Sequence, residues 1–154
     1  MKPTYTLVDL LLASPSAPMP HEKRTHQLTR MWGGLAAIER AAAPTPDDWR
    51  VLSDAVNLTE TLVLDMCLCV DASGLLSDAV TALAMAGKRS RAGGPIRLDA
   101  PGIAAVRAVL EDYATMLEVL PHRTMLQCHK RTEARIRDIA RGKRKQHDVE
   151  VMAL

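Results

Sequence analysis

The sequence predicts an all-α fold, an irregular bundle of five or six helices with a long, kinked or broken C-terminal pair. Three observations predict it. The 154 residues include 22 Ala and 20 Leu but only two Trp, two Tyr and no Phe, a composition that favours helices over sheets. Apolar residues recur at steps of three and four through most of the chain. Several of these periodic segments open on a capping residue or a proline. The length suits one domain with a substantial core. The alternation around Ile96 and Leu98 is too short to build a sheet, and no internal repeat is present.

Thr6-Leu7-Val8-Asp9 reads as a capping box opening a short helix to about Ala13. Ser14 to Pro18 breaks the chain. Pro20 suits the first turn of a second helix, with Leu28, Met31, Trp32, Leu35 and Ile38 on one face and an end before Pro44. Gly33-Gly34 in its middle predicts a close crossing or a kink. Thr45-Pro46-Asp47-Asp48 supplies an N-cap, a proline in the first position and acids at the positive helix end. Trp49, Leu52, Val56, Thr59, Leu62 and Met66 continue that helix, which breaks at Asp71 to Gly74. A fourth helix turns Leu76, Val80 and Leu83 inward. Lys88 to Pro95 reads as a basic loop, the best candidate for disorder or proteolysis. Asp99-Ala100-Pro101 opens the longest periodic segment, running through Ile103, Val106, Leu110, Tyr113, Leu117, Leu120 and Thr124. Pro121 interrupts it, giving a pair of helices at about 100–120 and 121–142. Gly142 is a natural stop. Residues 1–142 form the expected domain and 143–154 a loose basic tail. Trp32 and Trp49 are expected to be at least partly buried.

No apolar run approaches the roughly 20 residues that span a bilayer, and Asp9 interrupts the first apolar stretch, so neither a membrane partner nor a cleaved leader is expected. Cys67, Cys69 and Cys128 are an odd number and read as reduced thiols of a cytoplasmic protein. Motifs for chemistry fail on spacing. His21 and His26 are five apart, where a zinc protease helix needs four. Ala86-Gly87-Lys88-Arg89-Ser90 lacks the earlier glycine and the hydroxyl directly after lysine of a phosphate loop. Cys67 and Cys69, inside a helical pattern, point about 200° apart and cannot share a metal while helical. His122, Cys128 and His129 lack a fourth ligand. No metal or cofactor is expected.

Net charge is +2, but its distribution is uneven. Residues 45–80 carry seven acids against Arg50 alone; residues 121–154 carry nine Lys or Arg against four acids. Arg123, Lys130, Arg137 and Arg144 recur every seven residues, with Arg141 beside them, within about 60° of helical arc. Arg131 and Arg135 add a flank. Cys128, Thr132, Ile136 and Ile139 lie on another side, so the helix is expected to seat its apolar stripe and expose these seven cations to an anionic partner. Three plainer readings compete. In one the face is simply solvated, with Glu133 pairing with Arg137. In another it faces Asp47, Asp54 and Asp65 of the third helix, within one chain or across a dimer. An enzyme would need a site between helices, for which Glu118 and His122 are the pair to test.

The stretches His26 to Trp32, Thr45 to Arg50, Val56 to Leu62 and Arg131 to Arg137 resemble small uncharacterised proteins encoded by phages and prophages of proteobacteria. The resemblance implies a non-catalytic accessory protein acting by binding, and transfers no catalytic residue. The expected partner is nucleic acid or an acidic, nucleic-acid-handling host protein. The shortage of aromatics argues against stacking on single strands. Leu58, Leu64 and Leu68 lie off the main seam of the third helix, so a homodimer is expected to cover them.

Overall fold

The computed structural model describes residues 5–142. It is all-helical, with no strand among those residues. The helices are α1 (Leu7–Leu12), α2 (His21–Arg40), α3 (Pro46–Glu60), α4 (Leu76–Arg91), α5 (Ala100–Val119) and α6 (His122–Ala140), with a π-helical turn at Thr61–Asp65 directly after α3. The expected basic tail at 143–154 lies outside the described residues.

The start signals act as read. Thr6 and Thr45 each accept from the backbone N–H three residues on, and Asp9 and Asp48 reach back to the cap N–H, completing two capping boxes. Asp99 accepts from the Gly102 N–H at 2.8 Å to open α5. Pro121 separates α5 from α6, as the cost of an interior proline demands. α6 has no side-chain cap. Its first two N–H groups instead donate to distant carbonyls, His122 to Ala17 at 2.8 Å and Arg123 to Ser14 at 3.0 Å. Two donors that a helix start leaves unpaired are thereby satisfied by the segment after α1.

α3 is the central helix, packed on α2, α4, α5 and α6. Its expected stripe is buried, from Trp49 through Leu52, Val56, Thr59 and Leu62, with Met66 half-buried. The Trp49 indole N–H donates to the Leu83 carbonyl at 2.9 Å, tying α3 to α4. Trp32 is half-buried against the same core. Gly34 of the glycine pair in α2 marks a close crossing with α3. A Cβ on Gly34 would sit 3.0 Å from the Asp48 carbonyl oxygen, while one on Gly33 would meet nothing.

Three expectations need correction. α4 runs on through Lys88–Arg91, where a loop was expected, because Lys88, Arg89 and Arg91 complement the negative end of its last turn. Cys67 and Cys69 are not helical. The π-turn ends at Asp65, and Cys67 takes a left-handed φ of 51°. Leu58 needs no second copy, since it is buried within the chain and its carbonyl accepts from the Cys128 thiol of α6 at 3.4 Å. Leu64 and Leu68 remain exposed.

The α4–α5 crossing is closed by small residues. A Cβ on Gly102 would lie 2.9 Å from the Ala82 Cβ and 2.7 Å from Asp99 Oδ1. Gly102→Ala should therefore force the helices apart or break the cap, costing about 1–3 kcal/mol despite the better helix propensity of alanine. A urea melt checks this, with Gly33→Ala, which adds no clash, as the reference.

Candidate functional site

α6 is amphipathic on the 100° rule, and two of the seven expected site cations, Arg135 and Arg123, are taken into the fold. Taking His122 as zero, Met125, Cys128, Thr132, Ile136 and Ile139 occupy about 240–320°, and all are buried. Arg135 falls at about 220°, on the rim of that sector. It is buried too, not part of an exposed flank. Its Nη2 lies 3.0 Å from Glu60 Oε2 and donates to the Asn57 carbonyl at 3.1 Å; its Nη1 lies 3.6 Å from Asp65 Oδ2. A buried guanidinium needs both charge and hydrogen-bond partners, and the end of α3 with the π-turn provides them. The π-turn carries Thr61 to within 2.7 Å of the Thr132 hydroxyl of α6. Arg131 reinforces the junction: it is exposed, but its Nη1 donates to the Asp65 carbonyl at 3.1 Å.

Arg123 is the other cation with a structural task. It is half-buried, and its guanidinium donates to the Ala13 carbonyl at 3.1 Å and the Leu11 carbonyl at 3.2 Å. These bonds hold α1 against α6. Tyr5 completes the attachment, its hydroxyl donating to Glu133 at 3.5 Å and its ring lying 6.0 Å from that of His129.

Lys130, Arg137 and Arg141 behave as expected. They fall at about 80°, 60° and 100°, all are exposed, and no ion pair among the described residues holds them. Arg144 lies outside the described residues. The seven-cation surface thus becomes a ridge of three, and Arg131, at about 180°, lies off it. The acidic line of α3 also divides. Asp65 meets Arg135, Asp47 pairs with Arg50 of its own helix at 2.6 Å, and Asp54 is pushed up to about 6 by burial against weaker lowering from Arg50 and Arg30. The acidic-to-basic contact therefore exists, but the buried flank makes it and the ridge does not.

Burial dominates the titrating groups beneath the ridge. It pushes the Cys128 thiol up to about 12, which leaves it unreactive, and lowers His129 to about 4. Glu118 is exposed at the end of α5 and His122 opens the next helix, so Pro121 separates the pair considered for catalysis. The open groove between α4 and α5, lined by Leu75, Met85, Leu98 and Ala105 among others, includes neither. Among the described residues no three His, Cys, Asp or Glu side chains are grouped to hold a metal ion.

Arg135 was legible as a structural residue from one signal. Cys128, Thr132, Arg135 and Ile139 step by four, three and four, so a basic residue sits on the apolar rhythm. The π-turn and Asn57 left no such trace.

Arg135→Ala should destabilise the protein by about 3–5 kcal/mol by stranding buried carboxylates, whereas replacing Arg135 and Glu60 together with apolar residues should cost less than the sum of the single changes. Chemical denaturation of the double-mutant cycle measures this, and Arg137→Ala should be near neutral. The lowered His129 favours the neutral imidazole in the folded state. Its contribution is present above the unfolded value near 6.5 and is lost as pH falls through about 4. Stability should therefore drop across that window, and His129→Gln should flatten the drop in thermal melts at stepped pH. Comparisons of the chain with protein-family models, curated proteins and solved structures find no match.

Proposed function

We propose that this is a non-catalytic binding protein that docks an anionic macromolecular surface through the outward stripe of α6. The observation that carries the reading is the division of labour among the cations of α6. Arg123 and Arg135 are tied into the fold, while Lys130, Arg137 and Arg141 stand exposed on one stripe with no ion pair among the described residues. A solvated stripe needs no fixed orientation; here the buried Arg135 pair and the α1 attachment fix the rotation of α6 on both sides of the ridge. The resemblance to phage- and prophage-encoded proteins supports an accessory role, with nucleic acid or a nucleic-acid-handling host protein as the partner it suggests. Self-association through Leu64 and Leu68, which remain exposed, is part of the same proposal.

Fluorescence anisotropy with labelled duplex DNA, and heparin as a second polyanion, tests the ridge. Three to four phosphate contacts give a log-log salt slope of roughly −2.7 to −3.6. Arg137→Glu with Arg141→Glu should abolish binding of both probes and lower the melting temperature by only a few degrees, the effect of two acids at the negative end of α6. Failure of both probes to bind at low salt overturns the proposal.

A further inference from the structure

The short helix α1 is amphipathic the wrong way round. Asp9 and Leu10 are half-buried and Ala13, just after the helix, is buried, in a helix whose packing partner is α6. Leu7, Val8, Leu11 and Leu12 point the other way and are 70%, 60%, 68% and 80% exposed. Four large aliphatic side chains on one arc of a two-turn helix make a concentrated apolar patch, of the kind that marks a docking surface. The helix is pinned in that orientation by the Arg123 bonds to Leu11 and Ala13, by Tyr5 on His129 and Glu133, and by the carbonyls of Ser14 and Ala17 on the start of α6.

The patch lies next to the ridge. The segments flanking α1 meet His122 through the Ala17 carbonyl and His129 and Glu133 through Tyr5; these three fall between about 340° and 20° on α6, and Arg137, Lys130 and Arg141 lie between about 60° and 100°. On the far side, Lys23 of α2 is exposed and close enough for its charge to act on Asp9 and His122. The carboxylates of α1 and of the α6 arc beneath it are engaged, Asp9 in the Thr6 capping box and Glu133 with Tyr5.

We propose that α1 and the ridge together form a peripheral docking surface for an anionic lipid bilayer, with Leu7, Val8, Leu11 and Leu12 entering the acyl boundary and Lys23, Lys130, Arg137 and Arg141 meeting the headgroups. The proposal rests on the reading of the ridge as an anion-docking surface and assigns that surface a lipid partner in place of the nucleic acid that the resemblance suggests. An outward aliphatic helix face bordered by cations on both sides is the pattern of an interfacial helix, for which apolar insertion and headgroup attraction add. A duplex offers phosphates to the ridge but nothing to four aliphatic side chains. No spanning helix is needed, and no helix among the described residues is long and apolar enough to be one.

Flotation of the full chain with vesicles tests this. Binding is expected to phosphatidylcholine–phosphatidylglycerol vesicles and not to phosphatidylcholine alone. Leu11→Ser with Leu12→Ser should lower the partition coefficient at least tenfold, since both side chains leave the acyl boundary. The same variant should keep the wild-type melting temperature and heparin affinity. Arg137→Glu with Arg141→Glu should abolish both vesicle and heparin binding. If the wild type fails to float with the mixed vesicles, or the leucine variant floats as well as wild type, the lipid proposal is overturned; retained heparin binding then leaves the ridge reading standing, and loss of heparin binding as well removes both. Duplex DNA binding that leaves no protein on mixed vesicles when both are present assigns the surface to nucleic acid and overturns the lipid proposal.

Discussion

The placement of Arg135 decides what the rest of α6 presents to solvent. A guanidinium between Glu60, Asp65 and the Asn57 carbonyl cannot leave without stranding buried charge. α6 is therefore held at one rotation on α3, and a turn of even one residue, about 100°, would carry Arg135 to solvent and bring other side chains inward. The ridge exists because its neighbour on the helix is locked away. The π-turn is part of that lock. By widening the last turn of α3 it places Thr61 on Thr132 and carries Asp65 to Arg135, two contacts made by residues on either side of the inserted geometry.

Much of the architecture was readable from local chemistry. The capping boxes at Thr6 and Thr45, the Asp99 cap and the stop at Pro121 act within a few residues, so sequence alone determines them. The buried stripes of α3 and α4 follow from spacing. What escaped depends on partners distant in the chain. Helical arithmetic orders the cations of α6 around its axis but does not say which azimuth meets α3, and Arg135 went inward for that reason. Arg123 shares the azimuth of the exposed Arg141 and is taken up because the end of α1 packs beside the start of α6. Lys88–Arg91 looked like a loop from its basic residues, yet charges of that sign suit a helix end as well as a solvated connection. The π-turn has no residue signature of its own, and the periodic pattern runs through it unbroken to Met66.

The seam between α3 and α6 is joined by polar groups. Ala, Leu and Val fill the α2–α5 core, whose crossings are close at Gly34 and Gly102. Such a core is tolerant of small sliding movements, because similar aliphatic side chains pack in more than one register. Directional contacts resist that. Trp49 on Leu83, Tyr113 receiving Gln27 at 2.6 Å, and Arg135 on Glu60 each join two different helices through groups that must meet at hydrogen-bond distance.

The carbonyls of Ser14 and Ala17 that cap α6 join the first of the described helices to the last. On the ribosome α1 emerges before α2 to α5, and its docking site on α6 is made after all of them. α1 must therefore wait, undocked, until α6 has left the exit tunnel. A bundle that could otherwise assemble helix by helix as it is made is completed by a contact of very long sequence separation, a slow class of closure. The completed surface of α1 and α6 is in this sense a mark of a finished bundle, since no chain lacking α6 can present it.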